Sequence, residues 1–310
     1  MKRFVCLLLA LALLPGCQRR EDTARQSLFC MDTVMDLQVW GADAQAAAGD
    51  LAALLNDLQD QWNACDEESL IGALNQGTAQ PDPQQQRLLD RVEELSRRTG
   101  GAFDPHLHSV SACWGFPTGD YRVPTREELA EALKEDDWDL GAALKGYAGD
   151  RCVELLKGYD VDRAILDLGG NIQTWGEKPD GTPWQIGIRD PRGEGLLGTV
   201  SVRGTMAVVT SGDYQRYFEA DGKRYHHILD PKTGYPADSG LSAVTVICAD
   251  GLTADALSTA LFVLGLEAGT RLWQESGDFE AVFVLTTGEV FATEGAALSG
   301  CDYEVICRED

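Results

Sequence analysis

The sequence predicts an α+β fold, with a mostly antiparallel sheet flanked by helices and built as one continuous unit. Three observations carry this reading. In the C-terminal half, short strand-like runs outnumber the helices that could serve as crossovers between parallel strands. Two turn signals, Asp221-Gly222 and Thr287-Gly288, each separate a pair of such runs, as in antiparallel hairpins. No linker of domain-boundary quality follows residue 27, and 310 residues suffice for a full core.

The chain opens on a targeting pattern. Lys2 and Arg3 form a basic head, and Phe4 to Leu14 is an apolar run too short for a comfortable membrane span. Leu14-Pro15-Gly16-Cys17 resembles a bacterial lipobox, with Pro15 a less usual residue at its position. This predicts a lipoprotein signal peptide over residues 1–16, lipidation of Cys17 and a lipid-anchored place on the extracytoplasmic face of a bacterial membrane. Plain secretion with an incidental cysteine is the alternative. Residues 17–26 are polar, lack apolar periodicity and read as a flexible tether, which leaves 27–310 as the folded domain.

Phe29 to Trp40 reads as a first strand. Leu51, Leu54, Leu55, Leu58 and Trp62 recur at helical spacing within Ala44 to Trp62. Pro81 and Pro83 punctuate, and a second helix carrying Leu88, Leu89, Val92 and Leu95 stops at Gly100-Gly101. Thr125 with Glu128 makes a capping-box start for a third helix, and a fourth covers roughly Leu144 to Lys157. Strands follow at Arg163–Leu168, Trp184–Arg189, Leu197–Val202 and Met206–Thr210. Tyr214–Ala220 and Lys223–Leu229 flank the first hairpin turn, and Leu241–Cys248 is a further strand. Two helices then span about Thr253–Leu264 and Glu267–Glu275, before a final hairpin.

A formal charge of −24 disfavours nucleic acid and anionic lipid headgroups as direct partners. Any phosphate-bearing substrate would need local compensation, which bound cations supply. The nine cysteines include Cys6 and Cys17 in the leader; the other seven are scattered, without a CxxC or a zinc-like spacing. Export would permit disulfides, and Cys301 with Cys307 is one possible pair.

Asp255 and Thr259 are four apart on a helix and share a face. Together they are hard oxygen ligands suited to Mg2+. Taken alone, the pair is more simply explained by Asp255 complementing a helix N-terminus. Gly101-Ala102-Phe103-Asp104-Pro105 is a turn able to stack a planar ring and bond a nucleobase edge. Asp139 stands just before a helix whose first turn holds Lys145, a natural anion seat or an ordinary surface lysine. In Asp167-Leu168-Gly169-Gly170-Asn171 the glycine pair permits close backbone approach, without a GxGxxG fingerprint. Ser211 in Thr210-Ser211-Gly212-Asp213 lacks a GxSxG elbow and reads as binding or structural. His226 and His227 are adjacent near a strand end, so only one faces a site.

The ordered set MDT (31–33), GAFDP (101–105), DLGAALKGY (139–147), DLGGN (167–171), the stretch at 184–191, TSGDY (210–214), HHILDPKTG (226–234) and ADALSTALFVLG (254–265) resembles the ApbE family of FAD:protein FMN transferases. The resemblance implies a T-fold-related unit that moves FMN from FAD to a threonine or serine hydroxyl of a partner redox protein, releasing AMP, with one or two Mg2+ ions. It implies FAD contacts at Met31, Ala102, Phe103, Asp104, Asp139, Lys145 and Ile228. Metal ligands would be Asp255, Thr259 and the Ala142 carbonyl, and His227 would be the acid/base or phosphate-orienting group beside Asp255. Implied acceptors are threonine-bearing proteins of Rnf- and Nqr-type membrane complexes or flavinylated reductase domains. Asp32 departs from a usual glycine, and Cys65 stands near a common aromatic position. The same residues would also serve an FAD pyrophosphatase or a non-catalytic flavin-binding lipoprotein.

Overall fold

The computed structural model describes residues 22–308, so the expected signal peptide, Cys17 and the start of the expected tether lie outside the described residues. The first strand is in fact a hairpin, β1 (Thr23–Cys30) and β2 (Thr33–Gly41), with Cys30 opposite Thr33. Met31 and Asp32 make the turn, both at positive φ (50° and 58°). Asp32 suits a left-handed turn but Met31 does not, and with no glycine beside them the apolar alternation reads straight through. β1 also starts inside the stretch expected to be tether. Pairing to β2 along its whole length and burial of Ala24 order those residues, and neither shows in a polar run.

Helices α1 (Ala44–Trp62), α3 (Pro83–Arg98), α5 (Arg126–Ala132) and α6 (Leu144–Leu156) stand where periodicity and caps predict them. The Thr125–Glu128 capping box closes in both directions, and Asp82 with Gln85 forms a second one on α3. Two short helices, α2 (Leu70–Asn75) and α4 (His108–Trp114), were not foreseen, because one or two turns leave too few residues for a period to register.

The strands continue as β3 (Val161–Asp167), β4 (Asn171–Trp175), β5 (Trp184–Arg189), β6 (Leu196–Val202), β7 (Ala207–Gly212), β8 (Tyr217–Ala220), β9 (Lys223–His226) and β10 (Leu241–Cys248). After α7 (Gly251–Glu275) come β11 (Phe279–Leu285), β12 (Val290–Thr293), β13 (Leu298–Ser299) and β14 (Glu304–Ile306). Nine strands form the main sheet in the order β1-β2-β3-β4-β7-β10-β11-β12-β14. Every pairing in it is antiparallel except β12 with β14. β4, five residues after a glycine pair, was not foreseen; it bridges β3 to β7. β10 is buried at every position, as befits the middle of the sheet. A three-stranded sheet of β13, β6 and β5 packs Trp184, Ile186 and Val200 against Val208, Ala243 and Val282.

On the opposite face lies α7, which uses three sides of its first half. Leu252, Ala256 and Ala260 join the core beneath α1 and α6, whereas Ala254, Leu257 and Leu261 join the core over β7 and β10. The third side holds Asp255 and Thr259. Gly265, at φ 78° and ψ 176°, leaves helical geometry and divides α7 near the expected boundary between two helices. The seven cysteines among the described residues are free, so Cys301 and Cys307 do not pair.

Candidate active site

The site begins where two helix backbones meet. A methyl group on Gly146 of α6 would stand 2.0 Å from the Gly251 carbonyl oxygen and 2.6 Å from Asp255 Cβ, so only glycine permits this crossing. The contact places Asp255 Oδ2 2.8 Å from the Gly146 amide, which donates to it. That amide belongs to the first turn of α6, after its N-cap Ala143, and has no carbonyl of its own helix to bond. Ala142 precedes the cap, so its carbonyl lies outside the helical hydrogen bonding, and Ala142 lines the same cavity as Asp255.

Asp255 is 5% exposed and has no ion-pair partner among the described residues. The task of complementing the start of α7 falls to other acids. Asp250 accepts from the Thr253 amide at 2.9 Å, and Asp150 accepts from the Gly251 and Leu252 amides at 2.7 and 2.9 Å. Burial and the neighbouring Asp250 charge push Asp150 up to about 6. Asp255 instead complements the N-terminus of α6, through the Gly146 amide. Thr259 Oγ1 lies 3.4 Å from Ser211 Oγ, which also bonds Ser258 Oγ at 2.8 Å.

A buried carboxylate without a cation, a main-chain carbonyl ahead of the helix cap and a hydroxyl are hard oxygen donors that fit Mg2+. Among the described residues no group of three or more His, Cys, Asp or Glu gathers to hold a metal. Three protein oxygens leave an octahedral ion incomplete, which suits a cation that also takes substrate phosphate oxygens and water.

Above this crossing lies a cavity of about 1100 Å³. Its lining includes Met31, Ala102, Phe103, Asp104, Asp139, Ala142, Lys145, His227, Ile228, Asp255 and Thr259, so every candidate site residue among the described ones meets there. The tight hairpin turn brings in Met31, whose amide donates to Gln59 Oε1 at 2.7 Å. Asp104 and Asp139 each accept from a main-chain amide two residues on, at 2.9 and 2.8 Å, which stiffens both turns. Phe103 is only 1% exposed. Its ring belongs to the core, so the expected ring stacking by this turn has no exposed Phe103 face to use. Lys145 makes no hydrogen bond or ion pair among the described residues.

The two histidines diverge as alternation requires. His226 is buried against Phe262, with Nε2 3.1 Å from the Ala237 carbonyl oxygen. His227 lines the cavity, and its Nδ1 lies 3.1 Å from the Arg216 carbonyl oxygen. A carbonyl only accepts, so Nδ1 carries the hydrogen and Nε2 keeps its lone pair. Burial, and then the Lys145 charge, push His227 down to about 3. The expectation of a base titrating near 6.5 is thereby corrected: His227 is neutral across the whole physiological range.

Cys65 also lines the cavity, where the family resemblance implies a common aromatic. Burial and the nearby Asp139 and Asp32 charges raise its thiol, so it is no ready nucleophile. Sequence reading missed Arg216, which spans the cavity mouth from the Phe116 carbonyl to within 3.8 Å of Asp32. Its only sequence signal was its place just beyond the TSGDY block.

The sequence pattern of the ApbE family matches residues 31–283. The chain is 33% identical to the FAD:protein FMN transferase of Treponema pallidum (strain Nichols), over 94% of this chain and 92% of that one. Its fold is similar to the crystal structure of the ApbE protein from Thermotoga maritima, with a TM-score of 0.81, 32% identity and coverage of 88% and 97%. It also resembles the apo flavinyl transferase ApbE of Pseudomonas stutzeri, with a TM-score of 0.73, 31% identity and coverage of 90% and 93%. Pattern, fold and convergent cavity agree, and the chain belongs to the ApbE family of FAD:protein FMN transferases.

Proposed function

We propose that this enzyme transfers FMN from FAD to a threonine or serine hydroxyl of a partner redox protein. The acceptor oxygen bonds to the FMN-side phosphorus, the pyrophosphate bridge breaks, and AMP leaves while the hydroxyl proton is released. The observation that carries this reading is the meeting of Asp255, Ala142, Lys145 and His227 around one cavity.

The transition state spreads negative charge over phosphoryl oxygens, so positioning and cationic stabilisation dominate. Lys145, with no competing carboxylate, supplies a point charge beside His227. Asp255, Thr259 and the Ala142 carbonyl would hold Mg2+, which supplies Lewis-acid charge to those oxygens. His227, fixed by the Arg216 carbonyl, presents a neutral Nε2 that accepts the acceptor's hydroxyl and orients it. The added negative charge of bound FAD raises its basicity at the moment of use. Met31, the Ala102–Asp104 turn, Asp139 and Ile228 bind FAD in this reading. Cys17 would anchor the enzyme by lipid on the extracytoplasmic face, where Rnf- or Nqr-type complexes or flavinylated reductase domains offer the acceptors.

The test is incubation of the mature protein with FAD, Mg2+ and a threonine-bearing acceptor domain. Flavin fluorescence fixed to the acceptor through denaturing electrophoresis supports the transferase. Free FMN and AMP alone would indicate a hydrolase, and unchanged FAD a binding protein.

A further inference from the structure

The cavity lining includes residues that the reading above does not use. Gly170 and Asn171 connect β3 to β4, Arg189 ends β5, and Gln215 follows β7. Gly170, Asn171 and Gln215 form one patch, with Arg189 on the wall of the same cavity: Gln215 Nε2 donates to the Thr210 carbonyl at 2.9 Å and is the nearest atom, at 4.0 Å, to a methyl group built on Gly170. Asn171 pairs with Val209 of β7, one residue before Thr210.

Three features of the patch lack a partner inside the protein. Asn171 is 5% exposed, and its side-chain Nδ2 is buried without a hydrogen-bond partner among the described residues. A buried amide in that state is destabilising unless something satisfies it. Arg189 makes no hydrogen bond or ion pair among the described residues, although it lines the cavity of a protein with a formal charge of −24. The other two cations of the lining are accounted for, since Lys145 faces His227 and Arg216 is held by Phe116 and Asp32. Over Gly170, at φ 94°, the space is open to the 4.0 Å contact with Gln215.

Resting on the transferase reading, we propose that this patch seats the acceptor protein's main chain beside its hydroxyl residue. A threonine oxygen is two bonds from Cα, so an acceptor that reaches the phosphorus must bring its own backbone into the cavity. That backbone presents carbonyl acceptors, and the patch offers unspent donors from Asn171 and Arg189. Glycine at 170 removes the side chain that would hold the two backbones apart. The patch adjoins the reacting end through Thr210, the neighbour of Ser211, which in turn touches Thr259.

The experiment uses the full mature chain and a pool of twelve-residue peptides with one central threonine and randomised flanks. FAD affinity is followed by flavin fluorescence, and peptide-bound flavin by mass. Arg189→Ala and Asn171→Ala are expected to lower peptide-bound flavin ~10-fold or more, with FAD affinity held within about twofold. Arg189→Lys should recover part of the loss. Equal loss of FAD affinity would assign the patch to the flavin and overturn the proposal, as would unchanged transfer in both alanine variants. Failure of the transferase reading shows separately, because the wild type would then bind FAD and flavinylate no peptide.

Discussion

At the floor of the cavity two helix backbones touch, whereas at its mouth the parts stand apart. Gly146 and Gly251 leave no space for even a methyl group, and Asp255 is locked by a main-chain donor. At the mouth, Phe29 and Val34 flank the hairpin turn at 70% and 59% exposure, and Asp32 reaches Arg216 only at 3.8 Å through solvent. The difference matches two demands on one reaction. Charge must be placed to a fraction of an ångström where phosphorus reacts, and a whole protein must enter and leave at the other end. Stability is concentrated where geometry matters, and adaptability where the partner arrives.

The floor is the easiest part to break. Asp255→Ala is expected to lower transfer on the order of 10³-fold, since it removes the one buried anion that would hold a cation. Circular dichroism should show an intact fold, and normal transfer at low Mg2+ would exclude Asp255 as a ligand. His227→Asn should cost roughly 10²-fold in turnover, toward the low end for acid–base groups because its resting basicity is weak. His227 is neutral down to about pH 3, so its protonation sets an acidic limb of kcat/KM there rather than near 6.5. A wild-type limb near 6.5 that vanishes in His227→Asn would contradict that assignment. His226→Asn, a core change, should alter melting temperature more than turnover.

Gly146→Ala tests the crossing itself. Forcing a methyl into the 2.0 Å gap must separate α6 from α7, at about 3 kcal/mol of stability and with loss of the Asp255 contact. Urea titration and Mg2+ dependence should worsen together. The mouth should respond least. Asp32→Gly relieves a positive φ and gives up a solvent-screened ion pair, so unfolding free energy should move by no more than about 0.5–1 kcal/mol. A larger shift would show that the mouth is as tightly built as the floor.

Much of this division was legible in the chain. The i, i+4 spacing of Asp255 and Thr259 and the ordered glycine-containing blocks pointed to the floor before any coordinate did. The sequence could not reveal that Asp255 bonds the Gly146 amide at the start of α6, because that depends on residues 109 apart coming into contact. Nor could it show the Met31–Asp32 turn, where Met31, a residue that seldom takes left-handed geometry, is held there by the strand pairing on either side. The depressed basicity of His227 comes from burial and from Lys145 on another element, and adjacency to His226 said only that one of the two would face inward.

The three-sided use of α7 has a consequence for how the chain tolerates change in length. Successive helical residues turn by about 100°. One residue added or lost between Asp250 and Asp255 would swing the carboxylate out of the cavity and toward one of two apolar cores. The same slip would turn Ala254 or Ala256 toward the site. Side chains along this segment can be exchanged for others of similar bulk, yet the number of residues cannot vary. Gly265 relaxes that constraint, because beyond the break the second half of α7 no longer inherits its angle from the first. Insertions that families accumulate elsewhere should therefore be absent before residue 260 of this helix and tolerated from its break onward.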